Sequence, residues 1–188
     1  FRFFLFREVP FGNDGDFSKS SISTRVNADL SNNYGNLVQR ICSFINKNCN
    51  SIVENKFTLE DQDKKILKFS ENKLDNFNDF MNDQAIDKGL KEVFELLTET
   101  NMYVDKQAPW NLLKNDKNRM NIVLSVSVEL IKRSSVMLYP IIPSSIKKVF
   151  DILNYEISEF DFDNIDVLPN KQHFIKEPKA VFPRIETK

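Results

Sequence analysis

Apolar residues recur at helical intervals along most of this chain. Ile22, Val26, Leu30, Leu37, Ile41, Phe44 and Ile45 stand three, four or seven apart or side by side. That pattern predicts one long helix, from a cap at Ser18 or Ser20 to about Lys47, bent near Gly35. Thr58 with Asp61 reads as an acidic variant of a capping box. It opens a second helix carrying Ile66, Leu67, Phe69, Leu74, Phe77, Phe80 and Met81, broken at Asp83 or Gln84. A third helix holds Ile86, Leu90, Val93, Phe94, Leu97, Met102 and Val104 and ends before Ala108-Pro109. A fourth runs from about Asn118 through Ile122, Leu124, Val126, Val128, Leu130 and Ile131 to Tyr139, where Pro140 and Pro143 stop it. Ser144 is placed to cap a short fifth helix with Ile146, Val149, Phe150 and Leu153. The opening run, FRFFLFRE, fits either a strand or the end of a helix, and Val9 to Phe17, with Pro10, Gly12 and Gly15, reads as an ordered loop. After Asn154 the helical period disappears, and Phe160, Phe162, Ile165, Val167 and Leu168 suit an extended strap. Four or five amphipathic helices with short connections predict an all-α helical bundle with an irregular C-terminal strap.

Composition narrows the chemistry more than the fold. The chain of 188 residues is 41% hydrophobic and 28% charged, a globular balance. No apolar run is long enough to span a bilayer as a helix. The chain opens without Met and without a charged-then-apolar leader, so a secretory signal is not expected and the expected location is cytoplasmic. Four glycines leave no phosphate-cradling loop, and two cysteines make no disulfide framework. The abundance of Asn, Lys and Phe looks like codon bias and points to no function.

Net charge is −1, unlike a general nucleic-acid binder, but the charge is laid out in blocks. Residues 1–50 carry six basic and four acidic groups, and residues 100–150 carry eight and three. Residues 58–99 carry six basic and eleven acidic groups, and residues 151–188 five and eight. A polyanion would meet the two basic blocks only if folding brought them to one face; the other reading is a solvated charge mosaic.

The usual catalytic constellations are missing. Cys42 and Cys49, seven apart, lack the partners of a structural zinc site and read as free thiols. His173 reads as a surface histidine, and the acidic pairs Asp61/Asp63 and Asp161/Asp163 as solvated faces. Two features invite a binding role. Asn36 and Arg40 are four apart and share one helix face. They are either an exposed polar pair or a pair that hydrogen-bonds planar polar edges. Trp110, the single tryptophan, follows Pro109 at a turn between helices. It is either a core plug or a platform for an unpaired base, worth roughly 1–3 kcal/mol by stacking.

These residues also carry a resemblance. The run REVPFGNDGDFS (7–18) resembles the segment after the catalytic domain of bacterial-type methionyl-tRNA synthetases, which are class I aminoacyl-tRNA synthetases. Arg25-Val26-Asn27-Ala28-Asp29-Leu30 with Asn36-Leu37-Val38-Gln39-Arg40 resembles the first helix of that family's anticodon-binding bundle. Asn101 to Trp110, NMYVDKQAPW, resembles the turn after its third helix, and Phe182-Pro183-Arg184-Ile185-Glu186 its closing run. The Pro-Trp turn alone is shared with the leucyl, isoleucyl and valyl relatives; the loop, the Asn36/Arg40 pair and the closing run select methionine.

The resemblance implies three parts: residues 1–17 end a stem-contact segment, 18–154 form the anticodon-binding bundle, and 155–188 pack back on the enzyme core. It implies that Trp110 stacks on the first base of a CAU anticodon. Asn36 and Arg40 would bond base edges, and Pro109 and Asn101 would shape the turn presenting Trp110. The implied partners are the methionine tRNA and an upstream catalytic domain, with no membrane. The ATP-binding HIGH and KMSKS motifs do not occur here. The chain is therefore expected to be inactive alone and to hold no metal or cofactor, the parent ligase using ATP and magnesium. The competing expectations are an anticodon domain of a related class I synthetase and a helical protein-interaction module.

Overall fold

The computed structural model describes residues 1–9, 12–14, 17–54, 58–156 and 172–186. Among them are α1 (Arg2–Glu8), α2 (Lys19–Arg25), a π-helical segment (Val26–Gly35), α3 (Asn36–Asn48) and the short strand β1 (Ile52–Val53). Then come α4 (Asp61–Asn82), α5 (Ile86–Gln107), α6 (Pro109–Asn115), α7 (Lys117–Leu138), α8 (Pro143–Leu153) and β2 (His173–Phe174). The predicted all-α bundle is what the chain forms, and the opening run is a helix. The strap residues Phe160 to Leu168 and the pair Asp161/Asp163 lie outside the described residues, as do Pro10 and Gly15.

The long first helix is continuous from Lys19 to Asn48, but its middle widens to π geometry instead of simply bending. The widened stretch, VNADLSNNYG, is built largely of weak helix formers. Ser18 caps α2, accepting from the Ser21 amide at 3.0 Å. Gly35 closes the π segment for a steric reason: a Cβ there would stand 2.9 Å from the Leu30 carbonyl oxygen and 3.3 Å from Phe182. The segment is held from both sides. Arg7 reaches Asp29 at 3.1 Å and Arg25 reaches Glu8 at 2.7 Å, tying α1 to it. On the other side the strap crosses it. The Asn27 amide donates to the Ile185 carbonyl at 2.9 Å and accepts from the Ile185 amide at 2.8 Å. Phe182 packs on the Tyr34 ring, with centroids 5.6 Å apart. Upstream, β2 anchors the strap by antiparallel pairing of His173 with Val53 and Phe174 with Ile52.

Two helix starts differ from expectation. Helix α4 opens at Glu60 with Asp63 as the reciprocal partner, not at Thr58 with Asp61. Asp63 is the carboxylate that turns inward, so it closes the box and is fully buried. Helix α8 has Pro143 at its first position and Ile142 before it, so Ser144 lies inside the helix and does not cap it. His173 is no plain surface residue: it is half-buried, stacks on Tyr155 and donates from Nε2 to the Leu153 carbonyl. Cys42 and Cys49 are free thiols; burial pushes the Cys42 thiol up to about 12.

The larger departure is α7, which has no solvent face along Val123–Leu138. It runs through the middle of the bundle against α3, α4, α5, α6 and α8. Most of its polar residues find partners inside, though the buried Ser134 hydroxyl has no hydrogen-bond partner among the described residues. Ser127 and Ser135 donate to carbonyls one turn back, and the Tyr34 hydroxyl meets Ser135 Oγ at 2.5 Å. Glu129 is bracketed by Arg133 at 2.9 Å and Lys132 at 2.7 Å, and Arg133 donates to Ser70 at 2.6 Å.

One buried ion pair joins three helices. Arg119, at the start of α7, donates to both oxygens of Asp63 on α4, at 2.6 and 2.8 Å. Tyr103 of α5 donates to Asp63 at 2.6 Å, and Arg119 also donates to Gln107 at 2.7 Å. Burial alone would raise the Asp63 carboxyl. The hydrogen bonds from Arg119, Tyr103 and the Glu60 amide, with the Arg119 charge, outweigh it and hold the group below its ordinary value.

Replacing Asp63 with Ala strands a buried guanidinium and should cost about 3–5 kcal/mol, read as a lower urea midpoint. The pH sign follows from the lowered carboxyl. Its stabilisation is present above the unfolded-state value and is lost as pH falls through the folded one. The stability gap between the wild type and Asp63→Asn should therefore be wide at neutral pH and narrow as pH falls below the ordinary aspartate value of about 3.9.

Candidate nucleic-acid interface

The α5–α6 turn is set by Pro109. Its ring disfavours right-handed helix for the residue before it, and Ala108 leaves α5 in the left-handed region at φ 44°. Pro109 then starts α6 at its first position and is itself buried. Trp110 comes next and remains 41% exposed, so it is no core plug. The Arg40 guanidinium lies 5.8 Å from the Trp110 ring centroid, within cation–π reach.

Arg40 is held by α5. One terminal nitrogen donates to Asp105 at 2.7 Å and the other to Asn101 at 3.1 Å. Asn101 in turn donates to Asn33 of the π segment at 2.8 Å. A line of polar groups therefore runs from Asn33 through Asn101 and Arg40 to the indole. Asn101 stands two turns before the Pro109 turn, so it positions Arg40 rather than shaping the turn. The Arg40 Nε atom is buried and has no hydrogen-bond partner among the described residues.

Asn36 is exposed one turn before Arg40. It lines a groove of about 480 Å³ with Asn32, Gln39, Phe182 and Arg184, the far wall being the strap. The fold thus brings Arg40, Asn101, Pro109 and Trp110 into one patch, with Asn36 at the edge of the adjoining groove. Sequence reading missed Asn33, Asp105 and Arg184. Asp105 had a signal, since it stands four after Asn101 on the same helix face. Arg184 had none, because only the fold brings the strap there.

The chemistry of the patch suits a planar, polar, unpaired ring: a flat apolar face, a fork of donors beside it and side-chain amides next door. Comparison with known proteins gives the family. Residues 53–188 match the anticodon binding domain of methionyl tRNA ligase, and residues 1–42 match the class I tRNA synthetase model for methionine. The chain belongs to the methionyl-tRNA ligase family. It is 40% identical to the methionine–tRNA ligase of Brucella suis over 97% of its own length and 36% of that protein. It is 33% identical to the Campylobacter jejuni enzyme, covering 30% of it. The Mycobacterium tuberculosis methionyl-tRNA synthetase in its free state superposes on the whole chain with a TM-score of 0.94 at 32% identity, through 38% of that protein. Its form bound by methionyl-adenylate gives 0.92. The chain therefore spans about a third of the length of these relatives, 30–38%, and corresponds to their anticodon-binding part.

Within this methionyl-tRNA ligase domain Trp110 is half out of the protein. Trp110→Ala should lower unfolding stability by about 1 kcal/mol, well short of the 3–5 kcal/mol of a buried aromatic, as measured by urea denaturation.

Proposed function

We propose that this chain reads the CAU anticodon of methionine tRNA on behalf of a methionine–tRNA ligase. The observation that carries the reading is the half-exposed Trp110 ring with the Arg40 guanidinium beside it, held there by Asn101 and Asp105. The first anticodon base stacks on Trp110. Arg40 presents donors to its edge, and Asn36 bonds a neighbouring base edge. Pro109 fixes the turn and Asn101 fixes Arg40.

The first base is selected by donor and acceptor pattern. Cytosine offers two adjacent acceptors, O2 and N3, on its Watson–Crick edge. Uracil puts an N–H donor at N3, which faces the all-donor guanidinium unfavourably. Phosphates add affinity without specificity.

The domain boundaries follow the same reading: residues 1–17 join the bundle to a catalytic portion, 18–154 form the reader, and 155–188 return toward the core. The whole ligase uses ATP and magnesium to join methionine to its tRNA in the cytoplasm. Both requirements belong, in this reading, to the catalytic portion of the ligase. The bundle selects the tRNA and holds it toward a distant active site.

The test is binding to RNA hairpins with a CAU or a UAU loop, followed by fluorescence of the single tryptophan. CAU should bind more tightly and quench Trp110. Trp110→Ala and Arg40→Ala should each lose about 1–3 kcal/mol, roughly 5- to 150-fold in Kd, with unfolding curves showing the fold retained. Equal affinity for both hairpins would refute the reading.

A further inference from the structure

The strap divides two grooves of different chemistry. On one side lies the groove of Asn32, Asn36, Gln39, Phe182 and Arg184, made of amides, an aromatic ring and a guanidinium. On the other, Lys147 and Lys148 of α8 face Lys176 and Lys179 of the strap across a groove of about 730 Å³. Ala180 and Val181 are walls of both. The surface is thus continuous: Trp110 to Arg40, one helical turn to Asn36, across the first groove to the strap, and over it to the lysines.

The second groove is cationic. Four lysines stand against Asp151 and Glu177. Lys176 is paired with Asp151 at 2.7 Å. Lys147, Lys148 and Lys179 are exposed and have no ion-pair partner among the described residues. Within the strap, the described stretch 172–186 carries three basic and two acidic groups. The lining lacks what reads a base: it has no aromatic ring, no side-chain amide and no guanidinium fork. Lysine ammonium groups are point charges that suit phosphate oxygens whatever the sequence.

We propose that the lysine groove binds the sugar–phosphate backbone of the same RNA, its strand crossing the strap at Ala180–Val181. The proposal rests on the anticodon reading for the identity of that RNA. It assigns the strap a place in the binding surface, where it separates base contacts from phosphate contacts.

The experiment measures the salt dependence of binding of the CAU and UAU hairpins, from about 50 to 300 mM salt. It uses the full chain, the triple variant Lys147→Ala/Lys148→Ala/Lys179→Ala, and a control triple Lys64→Ala/Lys68→Ala/Lys91→Ala on α4 and α5. All six lysines are exposed, and unfolding curves verify the fold. The groove triple should reduce the slope of log K against log salt by about 2. It should weaken both hairpins by the same factor and leave the CAU preference intact. The control should move the slope by less than about 0.5. Equal slopes for the two triples would overturn the proposal while leaving base reading in place. A lowered slope in a chain that never distinguished the hairpins would keep the phosphate groove and discard the anticodon reading. Failure to bind either hairpin at the lowest salt would overturn both.

Discussion

The reading face depends on a contact that lies beneath it. Asp63 and Arg119 meet in a largely desolvated place, where a lone charge would be costly and a bidentate pair is tolerable. The pair is extended by Tyr103 and Gln107 of α5. Trp110 stands between Gln107 and Arg119 in the chain, so both ends of the short segment carrying it are fixed to one buried cluster. A half-exposed indole on a seven-residue helix would otherwise have little to hold its angle. The cost of ordering it is met in the core, before any ligand arrives.

The same division runs through the rest of the surface. Groups that would touch a base are at least partly exposed, and most of their supports are partly or wholly inside, Asp105 being the exposed exception. Arg40 is 30% exposed but is gripped by α5 through Asn101 and Asp105. Asn36 and Gln39 sit on a helix whose opposite side, Leu37, Val38, Ile41, Cys42 and Ile45, is core. Phe182 closes the adjoining groove by packing on the buried Tyr34. A patch so supported presents a shape rather than an ensemble, which favours discrimination between similar rings.

Much of this was legible in the sequence because the core is periodic. The long helices, their ends at prolines and the Asn36/Arg40 spacing all follow from local pattern. What local pattern does not carry is which polar residue turns inward. Thr58–Asp61 and Glu60–Asp63 look alike as caps, and only the arrival of Arg119 from 56 positions away decides between them. The seven residues of α6 are too few to show a period, so a helix there was missed. In α7 the charges of Glu129, Lys132 and Arg133 resemble a solvent face because charge usually marks one. Here the two cations share the one carboxylate inside. The partner Asn33 escaped for a related reason: hydrogen bonds between elements leave no spacing rule in the chain.

The π segment has a consequence for how this helix can change over time. In a regular helix one added residue rotates everything beyond it by about 100°, which would turn Asn36 and Arg40 away from their side of the bundle. A wide turn absorbs such an addition locally, and π-bulges occur often at functional sites. Val26–Gly35 therefore works as a phase buffer. The half of the helix clasped to α1 by Arg7 and Arg25 can gain or lose a residue, or shift with whatever precedes it, without changing the azimuth of the half that faces the ligand.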